Sequence, residues 1–335
     1  MPTLYLLEQG AKLSKTSKRL VIEKDREVLS EIPEFKIEKV FVFGNVQITT
    51  QALKFLLGNN IDVSFFNMKG KLIGKLFPFE SKNVYLRMAQ YDAFKNEEFK
   101  LKISKKIVEG KIKNCLVVFQ KFLRNHPEVE LKEEIDRLNS ALKEVERKTQ
   151  ISSLLGLEGI SSKVYFKGFS KMFKNGFDFR QRTRHPPLDP VNSLLSLGYS
   201  LITSEMFSIL FALGLDPYVG FFHTLEYGRA SLALDLIEEF RPVIVDRLVL
   251  DLINKNMLKQ EDFEYEKTEE GKVLKVLLNQ EAKRVFFSQY EKRMNTQITL
   301  PQGNVSYRRL FDVQARKMIE CIKSNSGDYE PFLIK

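Results

Sequence analysis

The chain has 335 residues, 43% of them hydrophobic and 29% charged. That composition excludes the disordered, collagen-like and mucin-like classes, and the length suits two domains. Its 53 Lys and Arg outweigh 43 Asp and Glu for a net charge of +10, which favours a polyanionic partner. Cys115 and Cys321 stand far apart, with no CxxC and no metal-ligand spacing, so a disulfide framework and a zinc ribbon are not expected and a reducing cytoplasm is. The N-terminus does not read as a signal peptide, and no stretch is expected to reach the roughly 18 apolar residues that span a bilayer. A membrane partner is therefore not expected.

From residue 3 to about 80 the apolar runs are short and strand-like: Leu4 to Leu7, Leu20 to Ile22, Val40 to Phe43, Val63 to Phe66 and Leu72 to Leu76. Lys24-Asp25-Arg26 and Asn67-Met68-Lys69-Gly70 read as hairpin turns. One helix interrupts them, with Thr49 or Thr50 as cap for Gln51 to Leu57 and Gly58-Asn59-Asn60 as its stop. After Pro78 the period becomes helical, with Ser81 and Asn83 as candidate caps and few turn signals until Pro127. Between 128 and 149, Leu131, Ile135, Leu138, Leu142 and Val145 form the apolar stripe of an amphipathic helix. Further helices are expected from Asp189-Pro190, from about Ala230, and from about Asn279 towards the end. The fold class is α+β: a β-rich domain over residues 1–80 and an all-α domain over 81–335.

Three carboxylates interrupt apolar segments of the helical part. Glu158 lies between two glycines in Ile151 to Ile160, and Asp235 and Glu238 share a helix face in Ser231 to Pro242. His223 stands in the apolar run just before them. On one continuous helix Glu238 would lie about 60° around from His223 and Asp235 about 120°, although Gly228 leaves that continuity open. An ionised carboxylate in such a setting pairs with a cation or a metal, or protonates. Arg229, Arg241 and Arg247 are available as partners. One histidine with two or three carboxylates otherwise suits Mg²⁺ or Mn²⁺ better than Zn²⁺.

The positive excess is concentrated between Lys163 and Arg184, which holds seven Lys or Arg and a single acid, Asp178. On a helix, Lys163, Lys167, Lys171 and Lys174 fall on one face, away from the stripe of Phe166, Phe169 and Phe173. Arg180, Arg182 and Arg184 alternate, a comb matched to a phosphate backbone if the segment is extended. Arg308, Arg309, Arg316 and Lys317 form a second basic cluster. An ordinary solvated face accounts for the lysines equally well.

Five groups of residues, in order, resemble one family. They are Gly44-Asn45-Val46-Gln47-Ile48-Thr49 with Asn60-Ile61-Asp62-Val63; Gly156-Leu157-Glu158-Gly159 with Val164-Tyr165-Phe166; Arg182-Thr183-Arg184 with Pro186 to Tyr199; His223 to Arg229; and Ser231 to Pro242. Together they resemble the CRISPR-associated endonuclease that is the integrase subunit of spacer acquisition, the first of the two universal adaptation proteins. The resemblance implies a homodimer built through the β-rich domain, a helical catalytic domain, and a small second adaptation protein bridging two dimers. It implies that Glu158, His223 and Glu238 hold the divalent ion, with Asp235 as a supporting or alternate ligand. Many relatives carry aspartate where this chain has Glu238. The implied chemistry is metal-assisted cleavage of single-stranded, double-stranded or branched DNA, and its reverse, attack by a 3′-hydroxyl on a CRISPR repeat to join a protospacer. The competing expectation is a non-catalytic DNA-binding scaffold whose acids merely pair with arginines.

Overall fold

The computed structural model describes residues 3–33, 37–78, 81, 83–174, 176–183, 186–300 and 303–334. The chain divides into two compact units, Met1–Glu80 and Ser81–Lys335. Its architecture is α+β, with strands dominating the first unit and helices the second.

The first unit contains β1 (Thr3–Leu6), β2 (Lys12–Thr16), β3 (Arg19–Lys24), β4 (Glu27–Pro33), β5 (Lys39–Phe43), β6 (Gln47–Ile48), α1 (Thr50–Gly58), β7 (Asp62–Phe66) and β8 (Leu72–Leu76). They form two four-stranded sheets, in the orders β1-β5-β7-β8 and β4-β3-β2-β6. In the first sheet β5 pairs in parallel with β1 and β7, and Val40 to Phe43 are all buried, as a central strand covered on both faces requires. Both expected turns form: Asp25 and Arg26 take positive φ, and the Asn67 side chain accepts from the backbone of Lys69 and Lys71. Thr49 caps α1 by accepting from Ala52. Leu6, Leu13, Leu20, Val40, Leu56 and Val63 meet in one core, each such side chain worth roughly 1.5–3 kcal/mol on burial. The sequence reading passed over β2 because Leu13 is the only apolar residue in Lys12–Thr16.

The second unit contains α2 (Val84–Lys95), α3 (Glu97–Asn125), α4 (Lys132–Arg147), α5 (Ile151–Ser170), α6 (Pro190–Leu213), α7 (Ser231–Ile237), α8 (Arg247–Asn254), β9 (Phe263–Lys267), β10 (Val273–Leu278), α9 (Gln280–Met294), β11 (Gln297–Leu300), β12 (Gly303–Ser306) and α10 (Tyr307–Ser324). A π-helical turn, Arg241–Asp246, leads into α8. Asn83 caps α2, and Asn96 caps α3 by accepting from Phe99, dividing the long run before Pro127 in two. The two hairpins β9–β10 and β11–β12 add strands to a region expected to be helical throughout.

Helix α6 corrects a second expectation. Among the described residues it alone is long and apolar enough to cross a bilayer, but most of it is buried inside the protein. It also carries Glu205, fully buried and bonded to Arg308 and Tyr290, so its apolar character serves the core of this unit. The same contact takes apart the second basic cluster. Arg308 is buried between Glu205 and Glu291, Arg309 and Arg316 pair with Asp312, and Lys317 pairs with Glu330.

Candidate active site

Helix α3 forms the back wall of the site and supplies Lys111, which is buried among Ile107, Val108 and Cys115 of the same helix. Its ammonium hydrogen-bonds Glu158 of α5 and lies 2.6 Å from Glu238 Oε2. Ser162, one turn after Glu158, donates to the same Glu158 oxygen at 2.7 Å. Glu238 directly follows α7, and its other oxygen lies 2.9 Å from Arg241 Nη1. The carboxylates are thus cross-linked through an internal cation.

His223 sits in an irregular loop and shares no helix with Glu238, which settles against the continuity that Gly228 left open. Asp235, itself buried in α7, organises this loop. Its Oδ2 accepts from the backbone of Phe221 at 2.6 Å and Phe222 at 3.0 Å, and its Oδ1 accepts from the backbone of His223 at 2.9 Å. The same Oδ1 lies 2.7 Å from His223 Nδ1. Such a close wrap needs glycine at 220, where a Cβ would stand 2.6 Å from both Asp235 Oδ2 and the Ser231 carbonyl carbon. With Nδ1 turned to Asp235, Nε2 is the ring nitrogen left to face the site, and it lies 3.7 Å from Glu238 Oε1.

Electrostatics follow from these partners. Burial alone would raise the Glu238 carboxyl, but Arg241 and Lys111 beside it bring it down to about 2. Burial likewise opposes Lys111 charging, and the two glutamates outweigh it, holding the amine above its usual range. The π-helical turn sets residues five apart one turn from each other, so Arg241 and Asp246 both meet Tyr199. The Arg241 guanidinium lies 5.0 Å from the Tyr199 ring centre, and the Tyr199 hydroxyl donates to Asp246 at 2.5 Å. Burial pushes Asp246 up to about 6, with the Tyr199 hydroxyl limiting the rise. Arg241 Nε is buried without a hydrogen-bond partner among the described residues, an unspent donor beside the carboxylates.

The residues expected to meet DNA are placed less uniformly. Lys163 and Lys167 are exposed on α5. Lys167 pairs with Glu133 at 3.0 Å, and Lys171, just past the helix, with the buried Glu134 at 2.8 Å. Part of the lysine face therefore anchors α5 to α4. Arg180 is exposed and bonded to Asp178. Arg182 turns inward, donating to Asn192 at 2.7 Å and Ser196 at 3.0 Å and lying 5.4 Å from the Tyr199 ring centre. That replaces the solvent-facing comb by one exterior and one interior arginine; Arg184 lies outside the described residues.

As they stand, no three His, Cys, Asp or Glu among the described residues are grouped to hold a metal ion, because Lys111 stands between Glu158 and Glu238. The donor set nonetheless fits a hard divalent cation: two carboxylates already grip a positive charge, and an imidazole offers Nε2 with its other nitrogen fixed by a carboxylate. Sequence reasoning missed Lys111. The signal was there, in a lysine whose neighbours three and four residues away, Val108 and Ile107 before it and Cys115 after it, make that helix face apolar.

Fold, site and relatives together define the class, that of CRISPR-associated endonucleases and integrases. The chain belongs to the Cas1 family: the family model described as CRISPR associated protein Cas1 matches residues 4–292. It is 37% identical over 336 residues to a CRISPR-associated endonuclease Cas1 of Thermus thermophilus, covering 99% of this chain and 97% of that one. It is 33% identical to a Cas1 endonuclease of Chlorobaculum tepidum, covering 99% and 98%. Among solved structures, a casposase bound to integration product superimposes with a TM-score of 0.87 at 26% identity, covering 100% of this chain and 95% of that one. A Cas1 protein of Thermotoga maritima does so with a TM-score of 0.81 at 28% identity, covering both chains fully, 100% and 100%.

Proposed function

We propose that this enzyme is a metal-dependent DNA endonuclease and integrase that inserts captured foreign DNA fragments as spacers into a CRISPR array, acting in the cytoplasm. The observation that carries the reading is the Lys111 ammonium gripped by Glu158 and Glu238 beside the free Nε2 of His223, a centre built to hold positive charge. Glu158, His223 and Glu238 would hold Mg²⁺ or Mn²⁺ in place of that ammonium. A bound ion of this kind polarises a phosphodiester and stabilises the charge that develops on it.

The chain's own residues supply the rest. Asp235 fixes the imidazole so that Nε2 faces Glu238. Arg241, paired with Glu238, fixes a positive charge beside the site, and Arg182 adds positive potential across the Tyr199 ring. In cleavage, water oxygen bonds to phosphorus as the P–O bond to the leaving strand breaks. In joining, the 3′-hydroxyl oxygen takes that place as the repeat strand's own P–O bond breaks, a transesterification at the same site. The casposase neighbour, solved with an integration product, supports joining.

Protospacer and repeat DNA are the partners this reading requires. A neighbour described as a Cas6-RT-Cas1–Cas2 complex, TM-score 0.84 at 26% identity, supports assembly with the small second adaptation protein. Homodimerisation through the first unit is supported by the edge strand β4, which exposes Val28 and Leu29. The test is paired. Mn²⁺ binding is followed by electron paramagnetic resonance, and cleavage and strand joining are assayed in Glu158→Ala and His223→Ala. All three signals should be lost with folding retained; wild-type rates in either variant, or activity indifferent to EDTA, would overturn the metal site, and DNA binding with neither cleavage nor joining in the wild type would leave the scaffold reading in its place.

A further inference from the structure

Of the three arginines that the sequence offered as partners for buried acids, Arg241 pairs with Glu238 and Arg229 with Glu226. Arg247 has no carboxylate partner among the described residues. It opens α8 and lines a cavity of about 470 Å³ between α8 and the C-terminal half of α3. Lys121 of α3 lines the same cavity and also has no such partner. The two cations together line a second cavity of about 340 Å³ as well, beside Tyr307 and Phe332.

Nearby charges do not balance this pair. Asp251 lines the first cavity, but its carboxylate is taken up by Lys255 and Arg293, each at 2.7 Å. Lys174 lies 3.2 Å from His126 Nδ1, and the acid beside them, Glu128, is drawn to His126 at 3.4 Å and to Lys174 rather than to Lys121 or Arg247. Burial lowers the Lys121 amine, and Arg247 and Arg124 lower it further, the response of an amine among like charges. An anion seated between Lys121 and Arg247 would relieve that repulsion.

The cavity is more than an anion hole. Phe122, adjacent to Lys121 and half-buried, lines it together with His126, their ring centres 4.5 Å apart and tilted by 43°. Paired cations beside an aromatic wall match the two halves of a nucleotide, a phosphate and a base with a π-face. The volume falls within the roughly 300–1,000 Å³ of small-ligand sites. Lys121 follows Lys111 by ten residues on α3, roughly 15 Å along a helix, and the cavity is lined by none of Glu158, His223, Glu238 or Arg241.

We propose that this cavity is a nucleotide-binding site separate from the candidate active site, in which Lys121 and Arg247 hold a phosphate and the Phe122 face carries the base. The nucleotide is either a free nucleoside monophosphate or an unpaired residue of a DNA strand. The site stands independently of the metal reading.

Binding of dTMP and of a 5′-phosphorylated (dT)₆ to the full chain, measured by isothermal titration in EDTA, tests it. Lys121→Gln and Arg247→Gln should each weaken at least one probe tenfold or more, and Phe122→Ala should weaken it while leaving inorganic phosphate binding within twofold. Loss for dTMP assigns a free nucleotide; loss confined to (dT)₆ assigns a strand. Lys143→Gln, on the exposed face of α4, removes one positive charge elsewhere and should change neither probe by more than twofold. Unchanged affinity for both probes in Lys121→Gln, or an equal loss in Lys143→Gln, overturns the proposal. Lys121 is only half-buried, so its variant keeps the test decisive even if replacing Arg247 impairs folding.

Discussion

Glu238 and Glu239 are consecutive, equally buried, and opposite in behaviour. Glu238 faces Lys111 and Arg241 and is held down to about 2. Glu239 faces the other way, into neutral donors: Gln314 at 2.9 Å, the Tyr329 hydroxyl at 3.0 Å and the backbone of Phe332 at 2.9 Å. Burial pushes it up to about 8, and those donors only moderate the rise. Removing water costs both side chains alike; full charges rather than dipoles decide which of them stays ionised. One neighbourhood is therefore fit to exchange cations, and the other to hold a piece of chain.

The most forceful way to break this contrast is Lys111→Met, which leaves Glu158 and Glu238 without the cation between them. Breaking a buried pair by removing one partner costs about 3–5 kcal/mol, so the metal-free variant should melt well below wild type. Added Mn²⁺ should raise its melting temperature more than that of wild type. A loss under about 1 kcal/mol would show that the ammonium is not what holds the carboxylates.

Asp235→Asn sharpens the Glu238 side by removing the carboxylate that faces His223 Nδ1 and holds its loop. Losing a carboxylate behind a ligating histidine typically weakens metal affinity about 10–100-fold. Mn²⁺ titration of the variant should show that loss, and unchanged affinity would remove His223 from the ligand set.

Glu239 gives the pH arm. Its folded pKa is raised, so its contribution to stability is full below the usual 4.5 and is lost as pH rises towards about 8. The Glu238 contribution has the opposite sign: full above 4.5 and lost as pH falls towards about 2. Denaturant titrations across pH should show the first dependence vanish in Glu239→Gln, at a cost of about 1–3 kcal/mol for the donors left short of an acceptor. A slope identical to wild type between pH 5 and 8 would count against the raised pKa.

The smallest effect belongs outside both neighbourhoods. Lys167→Gln removes an exposed pair with Glu133, and such pairs contribute about 0–1 kcal/mol. A larger loss in chemical denaturation would mean that burial is not what separates strong pairs from weak ones here.

Much of this was legible in the sequence, because periodicity reports which face of an element is apolar. Asp189 was found as a cap, and Thr49 and Asn83 each as one of two candidates, because such side chains meet a backbone donor within three residues. The hairpin β9–β10 was not, since Phe263–Lys267 is Phe-Glu-Tyr-Glu-Lys and buries only Phe263. At the site, the three carboxylates and His223 stood out as polar residues in apolar runs. What joins them did not: Lys111 lies 47 positions before Glu158, and no local pattern encodes which distant charge comes to meet a buried acid. Arg182 was misplaced for a related reason, since alternation along an extended segment does not say which side faces Asn192.

The segment pinned to Glu239 has a consequence for how the molecule comes into being. Asn114, one turn beyond Lys111, donates to the carbonyls of Glu239 and Phe332, and Pro331 packs where a Cβ on Gly110 would stand 2.5 Å away. Chains emerge from the ribosome N-terminus first, and Phe332 follows Asn114 by 218 positions. Until Phe332 is made, Asn114 and Glu239 each lack one of their partners. The wall behind the candidate site is therefore complete only once the chain has been made as far as Phe332.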